Sequence, residues 1–384
     1  MQFDFNEDQV MLRNLVREFL TDQCPTSHVR EMLTSDSGFD RDVYRQFVQL
    51  GILPFPERYG GGDLGMVEQA IILEEMGRVP YPGPYFPTVI LAGSALQSSG
   101  DENAMARFLP DVCNGDLVLT LAFMEDDTGW SPNSINAEVT KDGDTVTLNG
   151  RKRFVPFAAS ADVILVVARE PGSTGKNGVS LIAVPKDSPG VSFGQEKMFD
   201  VTQRTSTLTF DNVSLPAENI VGTAGEAGRA LESTAERAAV GAAAEMLGAS
   251  RRSLEMATEY AKERKQFGQY IGQFQAVKHM LAEMLEKVEN GHSAVYYAAW
   301  AQDDNAPDRA LAASVAKSTM NQASRKVCGD AVQVMGGIGF TWEHDLHFYF
   351  KRSKHLEVHY GDVDHHYARV LDEVLAGRTA GAEV

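Results

Sequence analysis

ATEYAKERKQFGQYIGQFQAVKHMLAEM, residues 257–284, decides how this chain is read. Continued to Asn290, its second half places Phe274, Val277, Leu281, Met284 and Val288 on one face, the spacing of an amphipathic helix. In the first half Gly268 is expected to end a preceding helix. Between the two stands Arg264, whose planar, permanently charged fork suits a pyrophosphate, with Phe267 as an apolar wall beside it. A plain surface helix end is the alternative when the stretch is taken alone.

Outward from it, the helical pattern holds from about residue 222 to the C-terminus. QVMGGIG at 333–339 supplies Gly336 and Gly337, which let a backbone approach a dinucleotide closely, and Gln333 as a hydrogen-bonding partner. A tight turn between helices is its bland reading. Further on, HYGDVDHH at 359–366 crowds three histidines and two aspartates together. No metal is assigned there, because adjacent helical residues point about 100° apart and no distant ligand set accompanies them. Asp364 is the expected N-cap of the final helix, DHHYARVLDEVL.

Toward the N-terminus the pattern changes twice. Residues 116 to 221 are short β-rich runs, among them DLVLTLAF, DVILVVA, VSLIAVP and TSTLTFDNVSL, with KDGD and LNGR as expected hairpin turns. Residues 1 to 115 read as helices, as in EDQVMLRNLVREFL, punctuated by PERYGGGDLG and VPYPGPYFP. Helices, strands, then helices is not the βα alternation of a nucleotide-binding parallel sheet. No G-x-G-x-x-G follows a strand, and there is no P-loop. A net charge of −18 argues against general nucleic-acid or membrane binding. Apolar runs such as VILVVA are too short to cross a bilayer, and the opening MQFDFNEDQV has no signal-peptide pattern. Three scattered cysteines, Cys24, Cys113 and Cys328, indicate a reduced, cytoplasmic setting.

Taken in order, PERYGGGDLG, LEEMGR, LAFMEDD, DGDTVTLNGRKRFV, the stretch at 257–284 and QVMGGIGFTWEHDL resemble an acyl-CoA dehydrogenase from end to end. The resemblance implies an α+β multi-domain fold: an N-terminal helical domain (1–115), a small antiparallel β barrel (116–221) and a C-terminal four-helix bundle (222–384). It implies FAD held at subunit interfaces. Arg264, Gln266, Phe267, Phe274 and Gln275 would reach the FAD of a neighbouring subunit, and Gln333, Gly336 and Gly337 would also serve the cofactor. The implied reaction takes a proton from Cα and a hydride from Cβ of an acyl-CoA thioester. Electrons then pass to an acceptor such as an electron-transfer flavoprotein. In ERAA at 236–239, Glu236 and Arg237 fall where such enzymes contact CoA, and Gly361 is a further expected substrate contact.

The departures from the family pattern cluster at the reactive end. Met124 stands where a flavin-contacting threonine is usual, and Phe154 and Pro156 replace a tryptophan and a threonine. Tyr360 occupies the place of the catalytic glutamate, and a phenol with an ordinary pKa near ~10 stays protonated at neutral pH. Glu236 is therefore the first candidate base, with Tyr360 and Asp362 as the others. Tyr360 keeps the backbone N–H that the thioester oxygen would use. Three functions remain open: an acyl-CoA dehydrogenase, a structural subunit lending FAD contacts to a related chain, or a protein that keeps FAD and CoA but runs a different elimination needing no glutamate base. The second arrangement resembles heterotetramers acting on bulky acyl-CoAs such as steroid side chains.

Overall fold

The structure, a computed structural model, describes residues 4–126 and 129–377. The first three residues and Asp127, the last of LAFMEDD, thus lie outside the described residues. Helices come first: α1 (Glu7–Gln23), α2 (Thr26–Met32), α3 (Arg41–Val48), α4 (Met66–Arg78), α5 (Ser94–Ser98) and α6 (Glu102–Cys113). Strands follow: β1 (Leu119–Ala122), β2 (Glu138–Asp142), β3 (Thr145–Pro156), β4 (Val163–Arg169), β5 (Val179–Pro185), β6 (Val191–Gln195), β7 (Thr205–Pro216) and β8 (Ile220–Val221). Then come α7 (Gly228–Glu263), β9 (Lys265–Gln266), β10 (Gln269–Tyr270), α8 (Gln275–Asp303), α9 (Arg309–Met335), α10 (Leu346–Val358) and α11 (Val363–Leu375).

Two compact units form. One comprises Met1–Glu31, Gly65–Tyr81 and Ala239–Val384, the other Met32–Leu64 and Pro82–Ala238. In the first, α8, α10 and α11 all pack on α9, whose buried residues run from Ala312 to Met335. Within the same unit α4 and α7 cross at backbone distance. A Cβ added at Gly77 would overlap the Glu245 carbonyl, and one at Gly248 the Glu74 carbonyl. Only glycine permits that approach.

In the second unit the sheet runs β6-β7-β3-β2-β4-β5-β8, with β1 beside β4. Among the described residues its pairings are antiparallel, except that β1 and β2 each run parallel to β4. Ile164–Arg169 of β4 is buried throughout, which explains its unbroken apolar run. KDGD forms the expected hairpin, with Asp142 opposite Thr145 and Gly143 at φ 57°. LNGR does not. It lies inside β3, where the register against β7 slips between Leu148 and Gly150. Gly150 sits at φ 139°, and a Cβ there would come 2.7 Å from Ala137 Cα. An Asn-Gly pair serves a bulge as readily as a turn, and only pairing distinguishes them.

Candidate functional site

The helix that was to end at Gly268 ends at Glu263. The chain then doubles back, pairing Gln266 with Gln269 and Lys265 with Tyr270. Phe267 and Gly268 are the two turn residues, at φ 51° and 81°. Positive φ at both is what a tight type I′ hairpin requires. The turn pushes Phe267 out until 93% of it is exposed, with its ring edge-on to Phe274 at 6.2 Å. Main-chain bonds from Arg264 N to the Tyr260 carbonyl (2.9 Å) and from Ile271 N to the Arg264 carbonyl (2.8 Å) hold the base of the hairpin. The side chains of Arg264, Gln266 and Gln275 stand in solvent.

The second stretch begins where α9 stops at Met335. Gly336 takes φ 63° and ψ −139°, and Gln333, Gly336 and Gly337 are exposed. Gly336 is explained by its backbone angle. Gly337 is not, because its φ is ordinary and an added Cβ would meet nothing within 4 Å. Room for a side chain that the chain does not use is what close approach by an outside group requires. A guanidinium, exposed amides, open glycine backbone and a bare aromatic ring are the chemistry that would suit FAD.

On the sheet, Met124, Phe154 and Pro156 come together at the end of β3. Arg153 N donates to the Met124 carbonyl (2.8 Å), and Thr120 Oγ1 to the Pro156 carbonyl (2.6 Å). Phe154 is half-buried at φ 51°, in a second register slip between Lys152 and Val155, with the Arg153 guanidinium 4.7 Å over its ring. A buried ion pair underlies this corner: Lys152 Nζ donates to Glu125 Oε1 at 2.6 Å and to the Phe123 carbonyl at 3.1 Å. Burial pulls the Lys152 ammonium down to about 8, and Glu125 works against that. Nearby, a cavity of about 770 Å³ is lined by Phe157, Lys197, Arg204 and Thr205 among others.

The third locus is the turn after α10. His359 ends that helix, Tyr360 and Gly361 follow at φ 61° and 97°, and α11 begins. Its N-cap is Asp362, not Asp364: Asp362 Oδ1 accepts from His365 N at 2.9 Å, and Asp364 lies within the first turn. The helix thus starts two residues earlier than the sequence pattern implied. Asp362 is exposed and committed to the helix terminus, which does not suit a catalytic base. Tyr360 is buried, and burial pushes its phenol well up, with the Glu245 carboxylate adding and Arg352 opposing. Such a group holds its proton at neutral pH. The histidines serve the backbone: His359 Nδ1 lies 2.7 Å from the His355 carbonyl, and His366 Nε2 lies 2.9 Å from the Tyr360 carbonyl.

Glu236 and Arg237 belong to the second unit, near the start of α7, with Glu236 buried and Arg237 half-buried. Other charges escaped sequence reading altogether. Glu245 and Arg352 form a buried ion pair, and Arg352 Nη2 also reaches the Tyr81 carbonyl (3.1 Å). Lys317 is fully buried on α9, and its one sequence signal is a lone cation in LAASVAKSTM. No helix of the described residues is long and apolar enough to cross a membrane.

The chain matches the family models for the N-terminal (residues 6–116), middle (120–213) and C-terminal (221–375) domains of acyl-CoA dehydrogenases. It is 30% identical over 361 residues to cyclohex-1-ene-1-carbonyl-CoA dehydrogenase of Geobacter metallireducens, spanning 92% of this chain and 94% of that protein. Butyryl-CoA dehydrogenase from Megasphaera elsdenii superposes with a TM-score of 0.91 at 26% identity, covering 98% of this chain and 100% of the other. A chain of the ChsE4-ChsE5 complex from Mycobacterium tuberculosis gives 0.86 at 26% identity, over 98% and 99%.

Proposed function

The chain belongs to the acyl-CoA dehydrogenase family, and from that premise we propose that it desaturates the Cα–Cβ bond of an acyl-CoA thioester, with FAD as its cofactor. FAD, when bound, supplies the acceptor for the hydride leaving Cβ. For the FAD of a neighbouring subunit, Arg264 would grip the pyrophosphate by charge-assisted hydrogen bonds, Gln266, Gln275 and Gln333 would add amide contacts, and Phe267 and Phe274 would wall the site. Gly336 and Gly337 give close backbone approach. Met124, Phe154 and Pro156 on this chain's own sheet are the residues that would meet the flavin of its own site. Tyr360 donates its main-chain N–H to the thioester oxygen, where developing negative charge is stabilised, with Gly361 beside it. Arg237 contacts the CoA portion.

The base is Glu236. The observation that carries this assignment is the state of its rivals: the Tyr360 phenol is pushed up by burial, and Asp362 caps α11 in solvent. Of the two candidate carboxylates, Glu236 is the buried one. The residues 1–115, 116–221 and 222–384 are taken as the three functional divisions, the setting as cytoplasmic and the onward acceptor as an electron-transfer flavoprotein. The test is anaerobic absorbance of the purified, flavin-loaded protein on adding acyl-CoAs. Bleaching is expected in wild type and Tyr360→Phe and is expected to be strongly slowed in Glu236→Gln. Loss of bleaching in Tyr360→Phe overturns the assignment.

A second reading is a subunit that lends Arg264, Phe267 and the 333–337 stretch to a partner's FAD. Its support is Tyr360 in the glutamate's place, together with the likeness to a chain of the ChsE4-ChsE5 complex. Bleaching that arises only when a second, glutamate-bearing homologue is mixed in would favour it.

A further inference from the structure

Lys317 lies on α9 with no exposed surface, yet among the described residues no carboxylate bonds its ammonium. Instead, Nζ donates to Asn321 Oδ1 at 2.6 Å, to the Leu356 carbonyl at 2.8 Å and to the Gly361 carbonyl at 2.9 Å. All three acceptors are oxygens, so three protons are needed to satisfy them. An ammonium has three, whereas a neutral amine has two and a lone pair aimed at an oxygen. The same turn is held twice more. Asn321 Nδ2 donates to the Gly361 carbonyl at 3.3 Å, and His366 Nε2 sits 2.9 Å from the Tyr360 carbonyl. Gly361 itself admits no side chain, since a Cβ there would overlap His366 and come 2.7 Å from His365 Cδ2.

We propose that Lys317 is a positioning residue whose ammonium, shared among Asn321, Leu356 and Gly361, locks the left-handed Tyr360–Gly361 turn and so fixes the direction of the Tyr360 main-chain N–H. The catalytic meaning of that lock rests on the reading that this N–H meets the thioester oxygen. The lock itself does not.

Its protonation is sensitive to pH. Burial pulls Lys317 down to about 7, while Asp362 and Glu357 pull it back up. The other charged or titratable groups facing it are His355 on α10 and His365 and His366 on α11, with Arg369 beyond them. Burial holds all three histidines below their usual range, His366 at about 3, so they are neutral where Lys317 changes state. Glu357 is engaged by Lys354 (2.7 Å) and Arg325 (3.6 Å). The sign for global stability is opposite to that of the lock. Between about 7 and the ordinary lysine value the unfolded chain binds more protons than the folded one, so the Lys317 contribution to stability rises with pH. Over the same range the turn loses a donor and loosens.

The experiment is hydrogen–deuterium exchange of the segment 358–366 in the intact protein from pH 6 to 9, corrected for intrinsic rates and referenced to α8. Wild type should show a step near pH 7, with exchange on the order of fivefold faster on the alkaline side, the effect of losing about one hydrogen bond. Lys317→Met should exchange fast at every pH, with no step. Asn321→Asp places a carboxylate against the ammonium and should move the step up by about one unit or more. That variant keeps the test alive if Lys317→Met does not fold. A flat wild-type profile, or a step that Asn321→Asp leaves in place, overturns the proposal. The measurement needs neither flavin turnover nor acyl-CoA, so its failure is separable from failure of the proposed reaction.

Discussion

Two turns in this molecule use the same device, an aromatic residue followed by glycine with both in the left-handed region. Phe267–Gly268 sits at φ 51° and 81°, and Tyr360–Gly361 at 61° and 97°. Their surroundings are opposite. Phe267 is 93% exposed and nothing lies within 4 Å of a Cβ at Gly268, whereas Tyr360 is 7% exposed and Gly361 is hemmed in by His365 and His366. In the hairpin, local turn geometry sets the backbone, and the ring is left bare. In the buried turn the packing of three helices sets the backbone, and the side chain is closed away while the main chain is held in place. On the proposed reading, one turn offers its side chain to FAD and the other its backbone to the thioester.

The sharpest test of that contrast is kinetic. If the buried turn contributes only backbone, removing the base elsewhere should matter far more than altering its phenol. Glu236→Gln should slow flavin reduction by roughly 10²–10⁴-fold, the usual contribution of a general base, and Tyr360→Phe should leave it nearly unchanged. Adding Tyr360→Glu to Glu236→Gln should recover part of the rate, because a carboxylate then stands at the turn with its N–H intact. Stopped-flow bleaching of the flavin reads all three. Equal losses from Glu236→Gln and Tyr360→Phe would break the division between side chain and main chain.

Next in size is Gly361→Ala. The added methyl overlaps the His366 ring that donates to the Tyr360 carbonyl, and φ 97° is strained for alanine. Overpacking and backbone strain together should cost roughly 2–4 kcal/mol, read from the midpoint of urea unfolding at constant m. A loss below about 1 kcal/mol would mean that the turn yields, and that the packing around it does not fix its shape.

Much of this was visible in the residues, and the misses share one cause. The helix–strand–helix order, the Gly143 turn and the helical face Val277–Leu281–Met284–Val288 depend on neighbours in sequence, which periodicity and turn chemistry report. Gly268, Gly150 and Asp362 were misplaced by local rules that allow two outcomes. A glycine after a helix suits a cap or a hairpin, Asn-Gly a turn or a bulge, and Asp362 and Asp364 are both good N-caps. What chose between them was a partner strand or the His366–Tyr360 contact. Lys317 was invisible for the same reason, since the carbonyls that hold it belong to residues 356 and 361. The residues proposed to hold FAD could be named because they form runs in the sequence. For the base the sequence offered Glu236 first, with Tyr360 and Asp362 as rivals, and could not show their burial, on which the proposed choice rests.

A smaller effect is expected at the exposed turn's charge. Arg264→Ala should weaken FAD retention by on the order of 1.5–3 kcal/mol, the value of a hydrogen bond to a charged group. Fluorescence of flavin released on dilution measures it. Because Arg264 is solvent-exposed, folding stability should barely change. A fall in stability without loss of flavin would place Arg264 in the frame of the hairpin and not in its contact surface.

The smallest effect isolates the comparison itself. Gly268→Ala meets the same kind of backbone strain as Gly361→Ala, at φ 81°, but with no atom near the new methyl. The penalty should therefore be conformational only, about 1 kcal/mol for an L-residue in the left-handed region. Gly268→Asn should cost only a few tenths of that, roughly 0.3 kcal/mol, because asparagine tolerates this conformation. Urea unfolding of the four proteins, wild type included, separates the contributions: the Gly361→Ala loss minus the Gly268→Ala loss is the share due to packing. If the two alanine variants lose the same amount, the crowding of His365 and His366 around Gly361 adds nothing, and both turns are ruled by backbone angle alone. If Gly268→Ala loses flavin while Gly268→Asn keeps it at equal stability, then the hairpin angle aims Phe267, and the exposed ring is positioned as strictly as the buried N–H.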